Sequence, residues 1–332
     1  MRFLVEDRFE GDRAPGKGRA LRRRTRPLTL ATGLLVLALI LMAVAAAGCG
    51  VRGGVGDAGT VSTNEDRQST TTTTVASAET TITTPSQTTT TVTEQTTSVK
   101  VYFSRDETIC AATRVIPKTQ QVGAAAMKAL LSGPTAEETA AGMVSNIPEG
   151  TTFLGLSIDG GVATVDLSKE YASGGGSLSM GMRLAEVVFT LTQFPTVDGV
   201  NFKLDGKAID VLGGEGLILD HPMSRADYED LSPAILVESP TLGSTVTSPL
   251  RITGTANTFE ATFQVNIVNW DGLIIADQYV TATSGTGTRG TFDVTVPFTV
   301  DRTGRGTLIV FEYSAKDGSQ INLVEIPLEL EK

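Results

Sequence analysis

The sequence predicts an α+β fold class in two folded parts: a small sheet covered by two helices, then an all-β immunoglobulin-like sandwich. Three observations carry this expectation. Strand-like and helix-like periods alternate over residues 99–231. From 232 to 332 only short strands separated by turn signals occur. An apolar run and a threonine-rich tract precede both, too poor in alternating apolar positions to form part of either core. The domain boundaries read from these shifts are 1–48 for a signal peptide or membrane anchor, 49–98 for a stalk, 99–231 and 232–332.

In the first folded part, Val99 to Phe103 alternates β-branched and aromatic residues and reads as a strand. Val122 to Leu131 carries Ala126, Leu130 and Leu131 as an apolar stripe and is stopped by Gly133-Pro134, so it reads as a helix. Phe153 to Ile158 and Val162 to Leu167 are strands joined across Asp159-Gly160, a hairpin dipeptide. Met180 to Phe194 has Leu184, Val187, Val188 and Leu191 on one side and Pro195 beyond its end, which predicts a second helix. Val200 to Leu204 supplies a last strand before Asp205-Gly206. In the second part the expected strands are 235–238, 250–254, 262–270, 273–281, 290–296, 307–314 and 321–329. Seven short strands in about 100 residues is the density of an immunoglobulin-like sandwich.

The leader decides where these parts reside. Residues 1–27 hold nine basic and four acidic side chains, net +5, whereas the whole chain is −10, which leaves −15 on the remainder. An acidic body excludes nucleic acid as a partner class. Leu28 to Ala47 is an uncharged apolar run long enough to cross a bilayer. Its arginine-rich flank stays cytoplasmic, so the body is exported. The run closes on Ala46-Ala47-Gly48-Cys49, small residues before a cysteine, which resembles a bacterial lipobox and marks Cys49 for lipidation with palmitate-type acyl chains. An uncleaved transmembrane anchor is the alternative. Both place the body on the outer face of the cytoplasmic membrane. Gly50 to Ser98, with runs at Thr70 to Thr74 and Thr88 to Thr91, cannot bury enough surface to offset chain entropy and reads as a stalk. As a flexible coil it spans about 40 Å.

Candidate chemistry is thin. The exported part has one further cysteine, Cys110, so no disulfide framework exists there, and Cys110 reads as a small apolar core residue. The single histidine, His221, falls in a turn between the two parts. Gly174-Gly175-Gly176 before a helix reads as a hinge over a phosphate cradle, since no lysine follows. Asp166 and Glu170 read as turn residues over a glycosidase pair. The expectation is therefore no catalytic residue, no metal and no cofactor. Phe263, Trp270, Tyr279, Phe292, Phe298, Phe311 and Tyr313 alternate into the sandwich core or form a sugar-stacking platform, and Trp270 beside Asp271-Gly272 is the ring expected to be exposed for glycan or partner contact. Binding is expected on exposed faces, with no enclosed pocket.

Several short motifs share one order along the first part: Val101-Tyr102-Phe103, Leu130-Leu131-Ser132-Gly133-Pro134, Ile147-Pro148-Glu149-Gly150, Gly161 to Ser168, Thr190 to Pro195 and Lys203-Leu204-Asp205-Gly206. Together they resemble the GerM-type domain of bacterial sporulation and germination lipoproteins. Ile235 to Pro240, Ile252-Thr253-Gly254 and Gly290-Thr291-Phe292 resemble the Gmad-type immunoglobulin-like domain found beside it. The resemblance implies a membrane-tethered, non-catalytic scaffold or recognition module of the cell envelope, and it transfers no catalytic residue. Its implied partners are the membrane through the lipid anchor and an envelope protein or a second copy of itself. The alternatives are peptidoglycan, and service as an accessory lipoprotein of a sensor kinase. The family's naming protein has two such domains in tandem whereas this chain has one, so a sporulation role rests on the resemblance alone.

Overall fold

The computed structural model describes residues 95–214 and 216–332. The leader, the apolar run 28–47, Cys49 and nearly all of the expected stalk lie outside these residues. Among the described residues no helix is long and apolar enough to cross a membrane. The described residues form one compact unit.

The first lobe opens with β1 (Thr96–Arg105) and β2 (Thr108–Pro117), an antiparallel hairpin in register from Thr96–Pro117 to Arg105–Thr108. The strand expected at 99–103 is thus longer at both ends, and β2 was not expected at all. Its Ala111-Ala112 centre has poor strand propensity, and the turn Asp106-Glu107 lacks the glycine that advertises a hairpin, although both residues adopt positive φ (51° and 60°). Helix α1 (Val122–Leu131) has the expected limits and buries Gly123, Ala126, Met127 and Leu130, one face at helical spacing. A short α2 (Ala136–Ala140) follows, closed by a capping box between Thr135 and Glu138.

The hairpin β3 (Phe153–Asp159) and β4 (Val162–Leu167) leads through α3 (Ser177–Leu191) to β5 (Gly199–Leu204), which runs parallel to β4, and β6 (Lys207–Ala208) completes the order β3-β4-β5-β6. Helix α3 is the crossover that a parallel pair requires. It ends at Leu191, a turn before the expected Phe194. The reason is Gln193, whose amide accepts from Lys100 N (2.8 Å) and donates to Lys100 O (2.6 Å), so the chain leaves the helix to pair with β1. The sheet expected as one layer is therefore two, the β1–β2 hairpin and the β3–β6 sheet, with α3 buried on nearly every side.

Two small strands, β7 (Val211–Leu212) and β8 (Leu217–Ile218), and a 3₁₀ turn at Arg225–Leu231 precede the sandwich. Its strands are β9 (Ile235–Ser239), β10 (Thr245–Val246), β11 (Leu250–Ala256), β12 (Thr262–Val268), β13 (Ile274–Thr281), β14 (Gly290–Val296), β15 (Gly304–Tyr313) and β16 (Gln320–Leu330). They form sheets of order β14-β11-β9 and β10-β16-β15-β12-β13. All seven expected strands are present, and only the two-residue β10 was not foreseen. Ile252, Phe263, Val265, Ile267, Leu308 and Val310 alternate inward between the sheets. Gly254 is required where β11 passes β9, because a Cβ there would lie 2.0 Å from Leu236 O.

Strand β9 joins the lobes. Ile235 and Val237 point into the sandwich core, while Leu236, between them, is packed in the core of the first lobe with Ile109, Ala111 and Met143.

Candidate functional site

Three places concentrate polar or exposed apolar side chains. The first is the junction of the lobes. Arg225, on the 3₁₀ turn, lies between the rings of Tyr102 (5.3 Å) and Phe189 (4.7 Å). It donates to Glu238 Oε1 (2.8 Å), Thr192 Oγ1 (3.0 Å) and Phe189 O (3.3 Å). The Tyr102 hydroxyl also bonds Glu238 Oε1. Burial dominates the Tyr102 phenol and holds its pKa far above the ordinary value. For Glu238 burial opposes ionisation, but the Arg225 charge and its hydrogen bonds prevail and keep the carboxyl below the usual range. Arg289 with Glu229 (2.8 Å) and the hydroxyls of Thr241 and Thr113 (2.9 Å) add contacts at the same seam. These are partnered, inward-facing groups, so the cluster fastens the lobes together.

The second place is the outer face of the five-stranded sheet. In register, exposed Tyr279 on β13 and buried Phe311 on β15 flank Gln264 of β12. Tyr313, two residues on, meets Phe311 edge to face at 5.1 Å. Tyr279 is 63 % exposed and Tyr313 57 %, with Leu323 exposed nearby on β16. Phe263, Phe292 and Phe298 are core residues, as alternation requires. The exposure expected of Trp270 is found at these tyrosines instead. Trp270 is half-buried, with the Arg302 guanidinium 4.5 Å above its ring and Gly304 against its edge, and its buried Nε1 finds no acceptor.

The third place is a cleft of about 360 Å³ between the lobes, walled by the β1–β2 hairpin, Met143, β9 and β16. Cys110 lines it, half-buried, and burial pushes the thiol up to about 12, so it is a wall residue and a poor nucleophile.

The other sequence candidates are scattered. Asp166 Oδ1 accepts from Gly206 N (3.0 Å) and ties two strands at a turn. Glu170 is exposed, its carboxyl held low first by the Ser168 hydroxyl. The loop at Gly174-Gly175 is held by buried Arg183, which donates to Tyr171 O (2.7 Å), Ser173 O (3.0 Å) and Gly174 O (3.0 Å). Gly175 is needed there, since a Cβ would meet Arg183 Nη2 at 2.8 Å. The loop thus turns carbonyl oxygens toward a cation, the opposite polarity to a phosphate cradle. His221 sits exposed between Asp220 (2.8 Å) and Asp227 (3.0 Å), whose hydrogen bonds raise its pKa. No group of three metal-capable side chains occurs among the described residues. One group escaped sequence reasoning altogether: Glu186 on α3, buried, accepting from Asn146 N (2.8 Å), Asn146 Nδ2 (3.0 Å) and Ser145 Oγ (3.1 Å). Burial outweighs these bonds and raises its carboxyl to about 7. The only signal was a lone acid in an otherwise apolar helical run.

A small α+β lobe followed by an immunoglobulin-like sandwich is the class of protein that this fold defines. Residues 60–210 match the Germane family model, described as sporulation and spore germination, and residues 234–319 match Gmad2, the immunoglobulin-like domain of bacterial spore germination. The chain carries a GerM-type domain followed by a Gmad2-type immunoglobulin-like domain. Among solved structures it is similar to the first GerMN domain of the sporulation protein GerM from Bacillus subtilis (25 % identity, 40 % of this chain and 99 % of that one, TM-score 0.35). It is also similar to a candidate lipoprotein from Clostridium perfringens (23 % identity, 41 % and 93 %, TM-score 0.31). The tandem GerMN domains of the Bacillus protein match at 19 % identity over 60 % of this chain and 62 % of that one, with TM-score 0.35. No curated protein matches the chain.

Proposed function

We propose that the chain is a non-catalytic interaction module of the bacterial cell envelope, tethered outside the cytoplasmic membrane through lipidated Cys49 and meeting an envelope protein with the outer sheet face around Tyr279 and Tyr313. The observation that carries this reading is the distribution of side chains. Arg225 and Glu186 are engaged in the seam and in helix packing, whereas the rings of Tyr279 and Tyr313 are left exposed on the sheet. Exposed aromatic residues clustered on one surface are the usual anchors of a protein contact. The family descriptions support an envelope process of sporulation or germination type. Accessory service to a sensor kinase and self-association are narrower forms of the same reading.

A photoreactive residue at position 279, introduced in living cells, is expected to trap a discrete protein adduct that the same residue at exposed Val115 does not. Equal or absent adducts at both positions reject the face. A second reading, peptidoglycan binding, is favoured by the same rings, since sugars stack on exposed aromatics. Retention of the chain on purified peptidoglycan, abolished by Tyr279→Ala, would replace the protein partner with the glycan, and loss with Trp270→Ala alone would move the contact to that ring.

A further inference from the structure

We infer that the cleft between the lobes is a binding site for a single alkyl or acyl chain of about ten carbons with an uncharged polar end. Protein interiors pack to near crystal density and leave few voids larger than a water. A cleft of about 360 Å³ is at the lower bound of ligand pockets. Water occupies about 30 Å³ and a methylene group is of similar size, so the space admits a chain of roughly ten carbons.

The lining sets the chemistry. Ile109, Ala111, Met143, Leu236, Leu242 and Ile326 supply its apolar lining. Its polar lining includes Arg105, Asp106 and Thr108 on the hairpin, Ser232, Thr241 and Asn322. Their side chains include one cation and one anion, so the mouth favours neither charge and suits a hydroxyl or ester. Asp106 on one side, in the two-residue turn of β1–β2, and Asn322 (φ 53°) on the other adopt the left-handed conformation that Asp and Asn tolerate. Beside Asn322 the β15–β16 ladder is broken by a bulge between Val310 and Glu312, which re-aims the strand at the opening. Arg105 Nη2 donates to Glu325 O (3.3 Å) and links the two rims.

The test uses the full chain, with ¹³C-methyl methionine and 1-decanol as the probe. The expected result is a saturable shift of the Met143 methyl with Met182, on the buried face of α3, unmoved. Ala111→Phe, which fills the cleft, is expected to weaken the probe at least tenfold, and Leu323→Asp, on the exposed lip, severalfold. No saturable shift up to the solubility of decanol overturns the inference, as does a shift that survives Ala111→Phe. Should Ala111→Phe fail to fold, unchanged affinity in Leu323→Asp overturns it. The partner contact proposed at Tyr279 is read by a different experiment, so either can fail alone.

Discussion

Glu186 and Arg225 show how single buried charges set the behaviour of this chain. The Glu186 carboxyl titrates near 7 in the folded protein, against an ordinary value of 4.5. Between those two values the native state holds a proton that the unfolded chain has released, so stability falls as pH rises through the window. A shift of that size corresponds to about 3 kcal/mol as an order of magnitude. Glu186→Gln keeps an acceptor for Asn146 and is expected to flatten the dependence between pH 4.5 and 7.5, as followed by urea unfolding at each pH. His221, raised by its aspartates, contributes a slope of the same sign in both proteins and cancels in the comparison. For Arg225, truncation to Ala leaves Glu238 and the Tyr102 hydroxyl without their cation and is expected to destabilise by about 3 kcal/mol, within the range for breaking a partly buried pair. The double variant Arg225→Met/Glu238→Leu is expected to regain part of that loss, and a loss equal to the sum of the single ones would contradict the coupling.

At the scale of elements, β9 and β2 carry the weight. Ile235-Leu236-Val237 was legible as a strand, yet its apolar run had a second meaning, because each face of β9 serves a different core. Separate folding of 99–231 and 232–332 is still a proposal, and the geometry gives it an expected asymmetry. A chain ending at residue 231 lacks Leu236 and Glu238 and opens the wall around Ile109 and Met143, so it is expected to melt well below the intact unit. The sandwich, whose core is internal to it, is expected to lose less. Scanning calorimetry of both pieces decides the matter, and identical losses would argue against this account. Strand β2 was illegible because neither its alanines nor its turn announces a strand. It is held by ten paired residues of β1 and by α3 packed across it. The helix ends behave likewise: α1 stops where Gly133-Pro134 says it must, whereas α3 stops where Gln193 finds β1, a contact 93 residues away in sequence.

At the scale of the whole molecule, the proposed membrane tether has a consequence for binding. Many copies held on one surface raise the effective concentration of weak contacts, so lipidation would matter more for binding than for folding. Mass spectrometry of the mature N-terminus is expected to find a diacylglyceryl group on Cys49 with residues 1–48 removed, and an intact leader would establish the transmembrane anchor instead. The seam through Arg225, Glu229 and Thr241 presents both lobes to a partner as one body. The surfaces available to that partner are the outer sheet face and the exposed strand β3, with Leu154 and Ile158.

The sequence by itself determined the α+β and sandwich classes, nearly every strand of the sandwich, helix α1 and the turn at Asp159-Gly160, because local period, turn chemistry and chain breakers act within a few residues. It also determined that chemistry-bearing residues are few. Only the tertiary structure decided which rings are exposed, that Leu236 belongs to the other lobe's core, that Glu186 is buried and raised, and that a cleft remains between the lobes. Each of these depends on what a side chain meets from a distant segment, and burial is a property of the packed whole, with no period along the chain to announce it.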